Sequence, residues 1–143
     1  ASGVVGVAVS AGLLTPKSVL AAWPQTSFDA KKVDEALTGL YGSSSHSKSG
    51  DINIKAPDIA ENGAVVPITI STKLAKAETI SVIIEKNPSP LAAHFELASG
   101  TEGFISTRVK MGKTSPVLAV VKANGKLYSA SKKVKVTIGG CGG

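Results

Sequence analysis

The sequence predicts a mainly β protein: an immunoglobulin-like antiparallel β-sandwich of about seven strands, with one N-terminal helix and a flexible C-terminal arm. Three observations lead to this prediction. From Asp51 onward, apolar and polar residues alternate, as they do in strands with one buried face. Gly, Pro and Asn residues separate the alternating segments at short intervals, which is typical of tight turns. At 143 residues and 14.4 kDa, the chain has the size of one domain with a single core.

Residues 1–22 differ in composition from the rest of the chain. Gly3 to Leu14 carry no charge, Thr15-Pro16 follows them, and Val19 and Ala21 then occupy the −3 and −1 positions of a signal cleavage site. The apolar run is too short for a membrane span. We interpret residues 1–22 as the remnant of an export signal, the alternative being an apolar first strand or helix. If residues 1–22 are retained in the mature protein, we predict an oligomer contact through this apolar N-terminus.

Residues 23–50 predict a helix followed by a linker. Ser27 or Asp29 is the expected N-cap, and Tyr41-Gly42 is the expected end of about three helical turns. The apolar residues of this helix are spaced at i, i+3, i+4 and i+7, and they are Val33, Ala36, Leu37 and Leu40. Residues 42–50 are rich in Ser and Gly, and we interpret them as a linker with nothing to bury.

Residues 51–138 predict the β-sandwich. The expected strands are Ile52 to Ile54, Val66 to Ile70, Thr79 to Glu85, Ala93 to Ala98, Phe104 to Met111, Val117 to Ala123 and Lys132 to Ile138. Asn124-Gly125 predicts a tight hairpin, to which we assign Lys126 to Ala130. In the last strand, Lys133 and Lys135 alternate with valines, so these lysines should reach solvent near the base of the arm.

The arm is the last pentapeptide, Gly139-Gly140-Cys141-Gly142-Gly143, and it holds the single cysteine of the chain. Glycine has no Cβ, so these residues place no side chain around the sulfur and fix no conformation. At full extension the sulfur reaches roughly 10 Å beyond Ile138. This pattern favours a thin, flexible arm that carries one thiol. The alternative is a frayed chain end whose cysteine is incidental.

Charge and composition exclude several classes of function. Sixteen Lys and Arg residues against ten Asp and Glu residues give a net charge of +6, yet aromatic residues make up only 4%. With Arg108 as the single arginine, a nucleic-acid surface is poorly supported. The positive charge suits small anions or acidic protein partners better. His46 and His94 lack the spacing of a metal site or a catalytic triad, so we predict no metal, no cofactor and no catalytic residue.

Three segments of the chain resemble the SoxY family, the sulfur-carrier subunits of the Sox thiosulfate-oxidising system. They are Tyr128 to Gly143, Asn87 to Phe95 and Ser106 to Lys110. The terminal Gly-Gly-Cys-Gly-Gly after a strand is the most specific of these features. The resemblance implies a carrier rather than an enzyme, with sulfur intermediates attached to Cys141 on an arm formed by Gly139, Gly140, Gly142 and Gly143.

The resemblance also implies partners and a location. It implies a periplasmic protein, exported by the twin-arginine route and paired with a SoxZ-like β-sandwich subunit. The enzymes that would act on the carried sulfur are SoxAX, a haem protein for loading, SoxB, a metal-dependent hydrolase, and a SoxCD-like molybdenum enzyme. Homo-oligomers could also form through a Cys141 disulfide. No nucleic acid and no membrane span are expected.

Two alternative functions stay open on the sequence alone. A ubiquitin-like sulfur carrier also ends in Gly-Gly, but the export signal, the strand pattern and the position of the cysteine argue against it. A structural or assembly module of the periplasm, with a tail cysteine that forms an intermolecular disulfide, is the other. Sulfur adducts on Cys141 would distinguish a carrier from that module, whereas a disulfide alone would not.

Overall fold

A computed structural model describes residues 25–98 and 103–139. Its elements in chain order are helices α1 (Gln25–Asp29) and α2 (Val33–Tyr41), then strands β1 (Ser47–Lys48), β2 (Ile52–Lys55), β3 (Ile59–Ala60), β4 (Val66–Thr72), β5 (Ala77–Ile84), β6 (Leu91–Glu96), β7 (Gly103–Val109), β8 (Ser115–Ala123) and β9 (Lys126–Val136). The predicted export signal, residues 1–22, lies outside the described residues. Within them, no helix is long and apolar enough to cross a membrane.

The strands form two sheets that face each other. The larger sheet has six strands in the order β1-β9-β8-β5-β6, and β3 also pairs with β9; the smaller sheet has three strands in the order β2-β4-β7. All pairs are antiparallel except the two short strands β1 and β3, which run parallel to β9. The predicted mainly β, two-sheet antiparallel fold is therefore confirmed.

The core lies between the two sheets. Both sheets contribute fully buried aliphatic side chains to it, among them Ile68, Ile70, Ile80, Val82, Val117, Val121 and Val134. These residues are the inward members of the alternating segments in the sequence. Burying one such side chain stabilises the fold by about 1.5–3 kcal/mol, which explains why the alternation predicts the strands well.

Helix α2 packs on the outer face of the larger sheet. Ala36 and Leu37 are fully buried there, against Ile83, Leu118 and Val120. The predicted helix end is confirmed, because Gly42 adopts a left-handed conformation with φ of 76° and donates its N–H to Thr38 O at 2.8 Å. The covered outer face also explains the nearly continuous apolar run in β8, which is buried on both sides.

The predicted N-cap of this helix is wrong. Lys32, in an extended conformation, occupies the N-cap position, and its side chain makes no capping hydrogen bond. Ser27 and Asp29 lie in the separate short helix α1. Residues 30–32 interrupt the helical path, so α2 has nine residues rather than three full turns.

The Ser/Gly segment after α2 is not wholly a free linker. Ser47–Lys48 adds a short parallel strand to the first half of β9, and Ser49 donates its N–H to Ser129 O at 2.9 Å. His46 Nδ1 lies 2.8 Å from Ser129 Oγ. Backbone pairing to a sheet edge needs no apolar side chain, so the composition of the segment gave no sign of it.

Most predicted strand boundaries agree with the structure to within two or three residues. Asn124 and Gly125 have φ of 53° and 78°, which confirms the two-residue hairpin turn. Lys126 to Ala130 is continuous with the last strand, which begins directly after the turn and ends at Val136 rather than Ile138. The short strands β1 and β3 were not predicted, because two residues are too few to show a period.

Candidate functional site

The site is built at the end of β9, where the predicted carrier arm leaves the sheet. Cys141, Gly140, Gly142 and Gly143 lie outside the described residues, and Gly139 is the last residue before them. We call residues 136–139 the arm root. Its geometry decides the point from which the thiol of Cys141 is presented.

Strand β9 gives the arm root a firm base. Nine successive residue pairs, from Lys126 to Val134, connect it to β8 on one side. On the other side, β1 covers its beginning and β3 covers its end, where Lys135 lies opposite Ile59. Because both sides of the strand end are paired, β9 cannot fray there without breaking bonds to other elements.

The loop at residues 60–63 holds one side of the arm root. Thr137 donates its N–H to Ala60 O at 3.1 Å, and Gly63 donates its N–H to Ile138 O at 2.7 Å. The Thr137 hydroxyl donates to Glu61 O at 3.2 Å. These bonds continue the parallel pairing with β3 for two residues beyond the end of the strand.

The loop at residues 110–114 holds the other side. Val136 donates its N–H to Thr114 Oγ1 at 2.9 Å. Gly139 lies so close to Gly112 that a Cβ at position 139 would clash with the carbonyl oxygen of Gly112. Glycine at position 139 is thus required by close packing between two backbones, a reason distinct from the conformational freedom that the tail motif suggests.

The surface around the arm root carries positive charge and exposed apolar side chains. Lys133 and Lys135 are exposed, on the face opposite buried Val134, as the alternation predicts. Lys132 is engaged instead, because its ammonium lies 3.1 Å from Asp58 Oδ1 and donates to Ala56 O at 2.8 Å. Lys133 and Lys135 are therefore the lysines of β9 that face solvent near the arm.

Two exposed apolar side chains accompany these lysines. Ile138 is 67% exposed in the arm root itself, and Ile59 is 55% exposed on the adjoining strand β3. Large aliphatic side chains at this exposure gain little from the fold, whereas they would be buried if the arm root entered a partner's pocket. The surface near the arm thus combines positive charge with apolar area.

His94 is a core residue. It is 7% exposed, its Nδ1 lies 2.8 Å from Ser81 Oγ, and the edge of the Tyr41 ring packs against it with 6.1 Å between ring centroids. Burial lowers the pKa of His94, and the nearby carboxylate of Glu96 offsets part of this effect. Burial likewise raises the pKa of Tyr41, whose hydroxyl lies 2.6 Å from Ser81 Oγ.

His46 does not form a nucleophilic pair. The hydroxyl it contacts belongs to Ser129, which is 1% exposed and so has no access to a substrate. Across residues 25–98 and 103–139, no group of three His, Cys, Asp or Glu residues is placed to hold a metal ion.

Comparison with known proteins identifies the family. A family model described as sulfur oxidation protein SoxY matches residues 37–141, so the matched segment ends at Cys141. The chain belongs to the SoxY family. SoxY proteins are sulfur carriers of the Sox thiosulfate-oxidising system, so the chain is a sulfur carrier protein and not itself a catalyst. Membership also implies pairing with a SoxZ subunit.

Solved structures agree with this assignment. The structure of the sulfur carrier protein SoxY from Chlorobium limicola f thiosulfatophilum shares 44% identity at a TM-score of 0.68, over 75% of this SoxY chain and 97% of that chain. Two superoxide reductase (neelaredoxin) structures from Ignicoccus hospitalis share 17% and 18% identity, each at a TM-score of 0.52. They cover 64% and 71% of this chain, and 80% and 86% of their own, and show the fold alone. Comparison with curated proteins gave no significant match.

Sequence reasoning missed the two loops that hold the arm root of this SoxY protein. They contribute mainly backbone groups, which leave no pattern of side-chain types. Gly63 and Gly112 were the available signals, since isolated glycines mark close backbone approach. Asn87, in a segment that resembles the family, was noted only as part of that resemblance.

Proposed function

We propose that this SoxY protein carries sulfur intermediates covalently on Cys141 during thiosulfate oxidation and delivers them to partner enzymes. The main structural support is the arm root. Cys141 follows Gly139 by only two residues, which span about 7 Å at full extension. A thiol so close to a well-bonded root can be presented at a defined place, while Gly140, Gly142 and Gly143 add no side chain that would obstruct entry into a narrow pocket.

The chemistry follows from the thiol. A free cysteine has a pKa near ~8.5 and reacts as the thiolate. In the proposed cycle, the Cys141 sulfur and the outer sulfur of thiosulfate form a disulfide bond, and the electron pair released goes to the haem protein SoxAX. Hydrolysis by SoxB releases sulfate and leaves a persulfide on Cys141. A SoxCD-like molybdenum enzyme accepts six electrons from the outer sulfur of the persulfide, three water molecules supply its oxygens, and the product is an S-sulfonate on Cys141. A second hydrolysis releases sulfate and regenerates the thiol.

Charge near the arm suits these adducts. Every intermediate after loading carries a negative charge at the end of the arm. Lys133 and Lys135 are exposed on β9 close to the arm root, and their positive potential favours anionic groups nearby. In this proposal the protein supplies the attachment site, the Cys141 thiol, and the catalytic groups belong to the partner enzymes.

The partner and the compartment are part of the proposal. The SoxZ subunit would dock on the sandwich, and the pair would work in the periplasm after export by the twin-arginine route. The composition of residues 1–22 supports export. A single cysteine also suits a carrier in an oxidising compartment, because no second thiol of the same chain competes to form a disulfide.

The test is intact mass under non-reducing conditions for the protein isolated from cells that are oxidising thiosulfate. We expect adducts of sulfane sulfur, sulfonate or thiosulfonate that map to Cys141 and disappear with reductant. The matched control is Cys141→Ser, which differs by one atom and should carry none of them. A clean thiol or only a disulfide dimer during active thiosulfate oxidation would favour the structural module with a disulfide-forming tail. The N-terminal mass measures the export cleavage in the same experiment.

A further inference from the structure

Asn87 lies in the loop between β5 and β6, far in sequence from the arm, and the proposed sulfur chemistry does not use it. Both ends of its side-chain amide are bonded to the loop at residues 110–114. Asn87 Nδ2 donates to Lys110 O at 2.7 Å, and Gly112 donates its N–H to Asn87 Oδ1 at 3.0 Å. One side chain therefore fixes two backbone groups of a loop that has no regular structure of its own.

The loop fixed by Asn87 is the one that contacts the arm root. Gly112, whose N–H donates to the Asn87 side chain, packs directly against Gly139. Met111, between the two bonded residues, donates its N–H to Gly63 O at 2.7 Å, and Gly63 in turn donates to Ile138 O at 2.7 Å. Two short routes thus connect Asn87 to the arm root, one through Gly112 to Gly139 and one through Met111 and Gly63 to Ile138.

Asn87 is itself held in place. Its own N–H donates to Ile84 O at 3.1 Å, at the end of the buried strand β5. The preceding residue, Lys86, donates its N–H to Ser115 Oγ at 3.1 Å, at the start of β8. The Met111 side chain is fully buried in the core between the sheets. The loop at residues 110–114 is therefore anchored to the body of the sandwich in two ways, through the bonds to Asn87 and through the buried side chain of Met111.

We propose that Asn87 is a positioning residue for the carrier cysteine. By holding Lys110 and Gly112 it keeps Gly139 in place, so that the tether to the thiol starts at position 139. This inference rests on the proposed carrier function only for its effect on delivery. Its structural part, that Asn87 determines where the ordered chain ends, stands independently of the sulfur chemistry.

The length of the tether gives the expected size of the effect on delivery. With the root fixed at Gly139, two residues lead to Cys141; with the root released back to Thr137, four residues do. The effective concentration of a tethered group falls roughly as the −3/2 power of tether length, so the release lowers it about threefold. The intrinsic reactivity of the thiol does not change.

Backbone amide relaxation by NMR on the full chain tests the structural part. In the wild type, the amides of Thr137, Ile138 and Gly139 should have order parameters near those of β9, about 0.85. In Asn87→Ala the order parameters of Ile138 and Gly139 should fall below about 0.6, while the amides of Thr137 and of β9 stay ordered. Asn53→Ala, at an exposed position on β2 in the other sheet, is the matched control and should match the wild type. Unchanged order at Ile138 and Gly139 in Asn87→Ala would overturn the proposal.

Two further variants keep the test decisive if Asn87→Ala folds poorly. Asn87→Asp keeps the acceptor for Gly112 N–H but cannot donate to Lys110 O, so it should loosen Ile138 and Gly139 to an intermediate degree. Gly139→Ala disturbs the contact from the arm side, because the added Cβ clashes with Gly112 O, and it leaves Asn87 untouched. It should loosen the arm root as Asn87→Ala does. If both variants keep the arm root as ordered as in the wild type, the proposal is wrong.

Delivery is tested by comparing two reactions of Cys141. Loading by the purified haem partner with thiosulfate should show kcat/KM about threefold lower in Asn87→Ala, whereas alkylation of the same thiol by iodoacetamide should keep its rate. Equal loading by the wild type and Asn87→Ala, or an equal loss in both reactions, would contradict a positioning role. A wild type that takes up no sulfur at all would refute the proposed function, and the relaxation experiment would still decide the role of Asn87.

Discussion

The two ends of strand β9 are held in different ways. At its first end, the chain enters from a tight turn in which Asn124 and Gly125 have φ of 53° and 78°. At its last end, Thr137 and Ile138 are bonded to the loop at residues 60–63, and Gly139 packs on Gly112. The first end is closed by the conformational preferences of two adjacent residues. The last end is closed by segments that are distant in sequence.

This difference suits what each end has to do. A turn returns the chain to the same sheet, so the first end stays within the fold. In the proposed carrier function, the chain has to leave the fold to present a thiol and cannot turn back, so the surrounding loops have to supply the support that a turn would give. Segments distant in sequence contact both ends, but the first end also has its own turn, whereas the last end has only those contacts. The order of the arm root should therefore respond to substitutions far from it in sequence.

The largest effect is expected from Met111→Ala, which removes a fully buried side chain from the loop that supports the last end. The cavity left in the core should lower the free energy of unfolding by about 2–5 kcal/mol, measured by urea denaturation. Val65→Ala, at a side chain that is 53% exposed, is the matched control and should change stability by less than about 0.5 kcal/mol. Similar stability of Met111→Ala and Val65→Ala would mean that the loop is not anchored through Met111.

A smaller effect is expected at the first end from Gly125→Ala. Gly125 has φ of 78°, where a Cβ is unfavourable, and the substitution should lower the free energy of unfolding by about 1 kcal/mol. Gly50→Ala is the matched control, because that glycine has no left-handed φ and open space around it. The comparison between the two ends predicts that Gly125→Ala leaves loading of Cys141 unchanged. A loading defect in this variant would show that the two ends of β9 are not independent.

The same difference explains what could be predicted from the sequence. Asn124-Gly125 predicts its turn because the two residues act locally, and the alternation of β4, β5 and β8 predicts strands because burial selects every second residue. Helix α2 was predicted from its spacing, while its N-cap was misplaced because residues 30–32 interrupt the helical path. The contacts of the arm root join segments about 22 to 77 residues apart and are mainly bonds between backbone groups, such as Thr137 N–H with Ala60 O and Gly63 N–H with Ile138 O, and backbone groups leave no trace in residue types.

The features of the candidate site likewise fall into two groups, those that are local in sequence and those that depend on the fold. The tail motif points to Cys141 and to the SoxY family, because a lone cysteine between glycines is a local feature. The attachment of sulfur to Cys141 stays a prediction. The role of Asn87 depends on which carbonyl and which N–H its amide meets, and that depends on the packing of three separate loops. The sequence pattern identifies the cysteine that is proposed to carry sulfur, but the contacts that hold the arm root can be read only from the fold.

A last effect is expected from pH, and it separates the core of the sandwich from both ends of β9. His94 is buried between Ser81 and the edge of Tyr41, and burial lowers its pKa below the ordinary value of about 6.5. As pH falls below about 6.5, the unfolded chain binds a proton at His94 that the folded protein does not. Stability should therefore be full above about pH 6.5 and decline below it, by at most about 1.4 kcal/mol per pH unit, until the folded protein also takes up the proton.

The variant His94→Gln isolates this contribution. Urea denaturation at a series of pH values should show the decline in the wild type and a flatter profile in His94→Gln, since glutamine can bond to Ser81 without taking up a proton. His46→Gln, at the exposed histidine beside the first end of β9, is the matched control and should keep the decline. Loading of Cys141 should not follow the same profile, because His94 does not contact the arm root. A decline that vanished in His46→Gln instead would place the pH-sensitive group at the first end of β9, where His46 contacts Ser129, and not in the core.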